Sequence, residues 1–123
     1  MDLSEKKIDS ELKYSGVIVN VTMDHAELCD GSIVMREVVE HPGGVTVLPV
    51  DDDGFCYCVG QFRYPFQKVM LEAPAGKLEK GEDHRTCAVR ELSEETGFTA
   101  DKLTYLGPSC TSPGISTEVL HIY

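Results

Sequence analysis

The stretch that decides the fold is Gly76-Lys77-Leu78-Glu79-Lys80-Gly81-Glu82-Asp83-His84-Arg85-Thr86-Cys87-Ala88-Val89-Arg90-Glu91-Leu92-Ser93-Glu94-Glu95-Thr96-Gly97-Phe98. From Asp83 to Thr96 it contains no glycine or proline and is rich in helix formers. Gly97 supplies a C-terminal stop, so the composition predicts a helix over 83–96. At about 100° per residue, Ala88, Val89, Leu92 and Thr96 form the apolar stripe. Glu91, Glu94 and Glu95 gather on another side, at i, i+3 and i+4. Like charges at i,i+4 cost about a few tenths of a kcal/mol per pair, and lysine is not interleaved among them. Carboxylates on one face suit a hard cation such as Mg2+ or Mn2+; a plain solvated face gives the same pattern. The preceding loop, Ala75 to Glu82, holds glycines that allow close backbone approach, so a carbonyl such as that of Ala75 can turn toward the same ion.

Upstream the period is two. Residues 16–28 read as a strand, Asp30-Gly31 as a hairpin turn and Ser32 to Glu40 as the returning strand. His41-Pro42-Gly43-Gly44 breaks the pattern. This divides the chain into an N-terminal hairpin segment, 1–41, and a second part, 42–123. Within the latter, Val45–Val50 is expected to pair with Phe55–Tyr64 across the turn Asp51-Asp52-Asp53-Gly54. The three aspartates lack the rest of a calcium-loop pattern and read as a solvated turn. Val69–Ala73, Leu103–Leu106 and Val119–Tyr123 read as further strands. Phe62, Tyr64 and Phe66 alternate onto one face, as core packing or as a stacking platform for a base.

The 123 residues carry 11 Lys plus Arg against 21 Asp plus Glu, a formal charge of −10. No bulk field attracts nucleic acid or an anionic membrane, and an anionic substrate needs a bridging cation. No apolar run approaches the roughly 20 residues of a membrane span. The first residues lack the apolar centre of a signal peptide. Cys29, Cys56, Cys58, Cys87 and Cys110 include no C-x-x-C spacing, so buried, reduced thiols and a cytoplasmic setting are expected.

Gly76 to Phe98 resembles the Nudix box: Gly, five residues, Glu, seven residues, Arg-Glu, an apolar residue, any residue, Glu-Glu, any residue, Gly and an apolar residue. The motif positions are Gly76, Glu82, Arg90, Glu91, Glu94, Glu95 and Gly97, with Leu92 and Phe98 at the apolar places. Pro113, sixteen residues after Gly97, is similar to the ADP-ribose pyrophosphatase branch of that family. So are Gly60-Gln61-Phe62-Arg63, Glu72-Ala73-Pro74-Ala75-Gly76 and the N-terminal hairpin.

The resemblance implies an α/β fold, a Nudix α/β/α sandwich with a mixed sheet plus an N-terminal antiparallel β-hairpin. A C-terminal helix is expected to be missing from a shortened chain, and no residue matches the late-loop glutamate of the branch. The implied reaction is Mg2+-dependent hydrolysis of ADP-ribose to AMP and ribose 5-phosphate, with Mn2+ able to substitute. UDP- or GDP-sugars, or a non-catalytic ligand-binding role, are the alternatives. Glu91, Glu94 and Glu95 with Arg90 are the implied catalytic group, and Glu91, Glu94, Glu95, Glu82 and the Ala75 carbonyl the implied metal set. Arg90 is expected to orient the glutamates. Arg63 is the expected phosphate contact, with Arg36 and Pro113 as further substrate contacts. The implied assembly is a homodimer built with the hairpin; neither nucleic acid nor membrane is an expected partner.

Overall fold

A computed structural model describes residues 2–123. The chain forms two compact units: one from the residues up to Pro42 with Cys110–Glu118, the other from Gly43–Ser109 with Val119–Tyr123.

The first unit is a three-stranded antiparallel sheet of β1 (Lys6–Ser15), β2 (Asn20–Glu27) and β3 (Ile33–Glu40), in that order. The hairpin over the turn near Asp30 is present, but its outer neighbour β1 is not legible in the sequence. Charged residues interleave along Lys6–Ser15, every residue of β1 is exposed, and its pairing slips at two points, so no clean alternation survives. The central strand buries Thr22, Asp24 and Ala26 on one face. Asp24 is paid for there by Lys7 Nζ at 2.7 Å and the Ser10 hydroxyl at 2.6 Å, which lower its carboxyl to about 2.

The second unit is built on a mixed four-stranded sheet. β4 (Gly44–Thr46) lies between β7 (Ala75–Lys77), antiparallel, and β9 (Val119–Ile122), parallel; β8 (Gly107–Cys110) is the far edge. A separate ribbon pairs β5 (Val59–Arg63) with β6 (Lys68–Glu72). Several expected strands therefore change. The strand at Val45–Val50 shortens to Gly44–Thr46, and Pro49 brings no N–H to a ladder. Phe55–Tyr64 shortens to β5, which pairs with β6 rather than with β4; of the expected hairpin across Asp51–Gly54 one antiparallel bridge remains, Val50 with Cys56. Leu103–Leu106 is irregular, and the strand begins at Gly107. Ala75–Lys77, expected as loop, is a strand.

The helix α1 (His84–Thr96) forms where its sequence places it. Asp83 is the N-cap, its carboxylate accepting the N–H groups of Arg85 and Thr86 at 3.0 and 3.2 Å. Gly97 closes it at φ 74°, its N–H donating to Ser93 O at 2.9 Å. The helix buries Cys87, Ala88 and Leu92 against Val45, Val47 and Tyr123, with Leu78 and Leu103 at the border. Val89 is exposed and Thr96 only half-buried, so the stripe centres on Cys87 rather than Val89.

Of the five cysteines, all free, only Cys87 is buried; the other four are exposed, contrary to expectation. The aromatic face also differs. Phe62, Tyr64 and Phe66 are exposed, and alternation ends at a 3-10 turn over Tyr64–Phe66 set by Pro65. Among the described residues no helix is long and apolar enough to cross a membrane.

Removal of the Asp83 cap leaves two N–H groups of α1 without a protein acceptor. Asp83→Ala is expected to lower unfolding free energy by about 1 kcal/mol in chemical denaturation, with the helical circular-dichroism signal otherwise retained.

Candidate active site

Helix periodicity and strand β7 bring the site together in the second unit. α1 packs over β7, so the carboxylate face meets the backbone of Ala75 and Gly76. The Ala75 N–H donates to Glu95 Oε2 at 3.0 Å. The Glu91 carboxylate lies directly against Gly76: a Cβ built there would stand 1.8 Å from Glu91 Cδ, far inside contact distance. Glycine is required here by space, not by φ. This position turns the loop expected from sequence into a rigid strand edge with two glutamates seated on it.

Arg90 lies in the middle of the acidic face. Its Nε and Nη2 grip Glu82 side-on at 2.9 and 3.0 Å, and its Nη1 reaches Glu91 at 2.7 Å and Glu94 at 3.1 Å. Nη2 also donates to the Lys77 carbonyl at 3.3 Å. The guanidinium thus binds three carboxylates and the end of β7. It holds Glu82 down to about 2, helped by the Glu79 N–H that donates to the same carboxylate. Glu82 in turn raises Arg90 further above its ordinary range, with Glu91 adding to the effect. Beneath them the Cys87 thiol is pushed up to about 12, chiefly by burial and then by Glu82.

Arg63 stands at the end of β5. It pairs with Glu72 through Nε at 2.8 Å and through Nη2, and the Glu72 carboxylate raises its pKa. Glu95 adds a smaller pull of the same sign, which ties Arg63 electrostatically to the box helix. Glu72 was missed by sequence reasoning. Its signal is the ribbon register: Val59 opposes Glu72 and Arg63 opposes Lys68, so Arg63 and Glu72 share a face. Arg36 and Pro113 belong to the first unit. Arg36 forks onto Glu5, Nη2 to Oε1 at 2.8 Å and Nε to Oε2 at 3.0 Å. Pro113 lies in the exposed turn after β8.

The ligand atoms that meet the Ala75–Gly76 edge are carboxylate oxygens, which is the chemistry of Mg2+ and Mn2+ and not of a soft metal. Among the described residues no three acidic, histidine or cysteine side chains converge as a cage, since Arg90 draws Glu82, Glu91 and Glu94 onto itself. Glu91 and Glu95 are the carboxylates fixed by the backbone edge. They would hold a divalent cation, with Glu94, more than half exposed, adding an oxygen by side-chain rotation.

A helix carrying this carboxylate face, set by a glycine strand edge on a mixed sheet, gathers oxygen donors of the kind that suit a hard divalent cation in an α/β domain. The chain belongs to the NUDIX domain family, whose model matches residues 40–123. It is 46% identical over 121 residues to an ADP-ribose pyrophosphatase of Bacillus subtilis, covering 98% of this chain and 65% of that protein. It is 44% identical over 119 residues to a methanol dehydrogenase activator of Bacillus methanolicus, covering 97% and 64%. An ADP-ribose pyrophosphatase of Mycobacterium tuberculosis is 38% identical over 117 residues, covering 94% and 56%. A crystal structure of an ADP compounds hydrolase superposes with a TM-score of 0.85 at 23% identity, covering 99% of this chain and 67% of that one. The chain thus spans about two thirds of the length of the first two relatives or less.

The Gly76–Glu91 contact yields a test. In Gly76→Ala the new methyl must displace the end of a flexible glutamate, so the fold is expected to survive. Mn2+ affinity is expected to fall by about tenfold, the scale of disturbing a ligand's support, in a paramagnetic relaxation titration.

Proposed function

We propose that this polypeptide hydrolyses the pyrophosphate bond of ADP-ribose or a closely related nucleoside diphosphate sugar, giving AMP and ribose 5-phosphate. One observation carries the reading: the complete box folds with Glu91 and Glu95 set on the Ala75–Gly76 edge, in a chain 46% identical to an ADP-ribose pyrophosphatase.

When bound, Mg2+ would offset the negative charge of the pyrophosphate and lower the pKa of an attacking water. Glu91 and Glu95 offer the oxygens for it, with Glu94, Glu82 and the Ala75 carbonyl as the remaining donors. Arg90 stabilises that acidic face by neutralising it and fixes the rotamers of Glu82 and Glu91. Water adds its oxygen to one phosphorus, the bridging P–O bond breaks, and the leaving phosphate keeps the bridging oxygen. Arg63 exchanges part of its pairing with Glu72 for a substrate phosphate, for which a guanidinium fork is suited. Arg36 and Pro113 serve selection away from the scissile bond, Pro113 as a rigid wall beside the sugar. A cytoplasmic setting agrees with five free thiols.

A homodimer through the N-terminal sheet belongs to the same reading. Ile8, Leu12 and Tyr14 of β1 and Ile33 and Met35 of β3 are exposed, and a second copy would cover them. Sedimentation is expected to give twice the chain mass at micromolar concentration; a monomer there removes the dimer.

A second reading draws on the Bacillus methanolicus likeness: a regulatory domain that binds metal and nucleotide without turnover. A substrate panel with Mg2+ and phosphate detection separates the two. ADP-ribose is expected to be the preferred substrate, and Glu91→Gln with Glu95→Gln to abolish both Mn2+ binding and turnover. Arg63→Ala is expected to lower kcat/KM by about 1–3 kcal/mol with Mn2+ binding intact. Preference for UDP-sugars or nucleoside triphosphates overturns the substrate, and nucleotide binding without hydrolysis favours the regulatory reading.

A further inference from the structure

Cys56 and Cys58 are two thiols of the second unit that the box and its helix leave unused. Both are free and exposed. The residue between them fixes where they point. Tyr57 sets its ring edge-to-face on Phe98, with centroids 4.9 Å apart, and its hydroxyl donates to Asp51 Oδ2 at 2.8 Å. Backbone pairing holds the same stretch extended. Cys56 is bridged to Val50, the Tyr57 N–H donates to Pro49 O at 3.1 Å, the Asp51 N–H to Phe55 O at 3.1 Å, and β5 follows from Val59. In an extended chain successive side chains alternate, so with Tyr57 committed to one face both thiols share the other.

The chemistry of that face is soft. Val50 stands opposite Cys56, and residues opposite one another across a pair share a face, so its neighbour there is apolar. Among the described residues no group of three acidic, histidine or cysteine side chains converges, so the two thiols gain no third ligand. Two thiolates do not make the four-coordinate shell of a structural Zn2+. They match Cu+, a soft ion that thiolate selects and that two ligands in line satisfy. The spacing also disfavours a disulfide. Two residues of extended chain separate the Cα atoms by about 6.6 Å, near the upper end of what a disulfide spans, whereas a bridging ion adds a further bond of reach.

We infer that Cys56 and Cys58 form a dithiolate site for Cu+. Binding is ligand exchange without redox: two S–H bonds break, two S–Cu bonds form, both protons leave to solvent and copper stays at +1. Once one thiolate holds the ion, the second meets it at high effective concentration, so the pair outcompetes a free monothiol where a single cysteine would not. The site stands apart from the carboxylate helix and does not rest on the hydrolysis reading.

The test is anaerobic competition for Cu+ between the whole chain and bicinchoninate, read by absorbance, in buffer with excess reduced glutathione. The variants are Cys56→Ser, Cys58→Ser, and Cys29→Ser with Cys110→Ser. Serine is close in size and the positions are exposed, so the fold is expected to hold, which circular dichroism checks. The wild type is expected to bind one Cu+ per chain, with X-ray absorption giving two sulfur neighbours and no nitrogen or oxygen. Each single variant at 56 or 58 is expected to bind about a hundredfold more weakly or worse. The Cys29 and Cys110 double variant is expected to bind as the wild type does. Undiminished affinity in Cys56→Ser or Cys58→Ser overturns the site, as does loss of affinity in the double variant. One ion shared by two chains, or displacement of Cu+ by an equal concentration of Zn2+, overturns it as well. So does a Cys56–Cys58 disulfide found by mass spectrometry in the same buffer before copper is added.

Discussion

The Arg90 guanidinium is the interaction on which the rest of the site depends. Four glutamates are drawn into a small region of a chain that already carries a formal charge of −10. Their mutual repulsion would splay the loop from the helix. Arg90 offsets it from within the helix itself, reaching back to Glu82 and sideways to Glu91 and Glu94 while touching the end of β7. Loop, strand and helix are thereby fixed by one planar group. Lysine has the charge but not the fork, and could not hold Glu82 side-on while also reaching Glu91.

Gly76 is the complementary constraint. Arg90 concentrates negative charge, and Gly76 lets the backbone come close enough to seat it. Burial of Cys87, Ala88 and Leu92 then fixes the helix roll, so that Glu91 and not Ser93 faces the strand. The same core that stabilises the domain sets the aim of the carboxylates.

How much of this was legible depended on what each residue's neighbours were. Helix α1 reads directly, because Asp83, Gly97 and the intervening helix formers act within a few residues of one another. The closing strand over Val119–Ile122 and the turn at Asp51–Gly54 read almost as well. β1 was hidden because its apolar residues are diluted by charge and its register slips. β7 was hidden because a strand of three residues beginning Ala-Gly has no periodicity to show. The box residues were legible as a pattern, but Glu72 beside Arg63 needs the ribbon register, and Glu118 beside His41 needs a contact across 77 positions of sequence (118 − 41). The exposed cysteines were misread because alternation predicts which residues share a face, not whether anything covers that face.

The Cys87 thiol has a use beyond packing. It is wholly buried beneath the ion-pair cluster and its ionisation is suppressed to about 12, whereas Cys29, Cys56, Cys58 and Cys110 face solvent. A thiol-reactive dye at neutral pH would therefore modify four sites quickly and a fifth only when α1 lifts from the sheet. The molecule carries its own clock for the opening of its core, timed by the appearance of that last adduct.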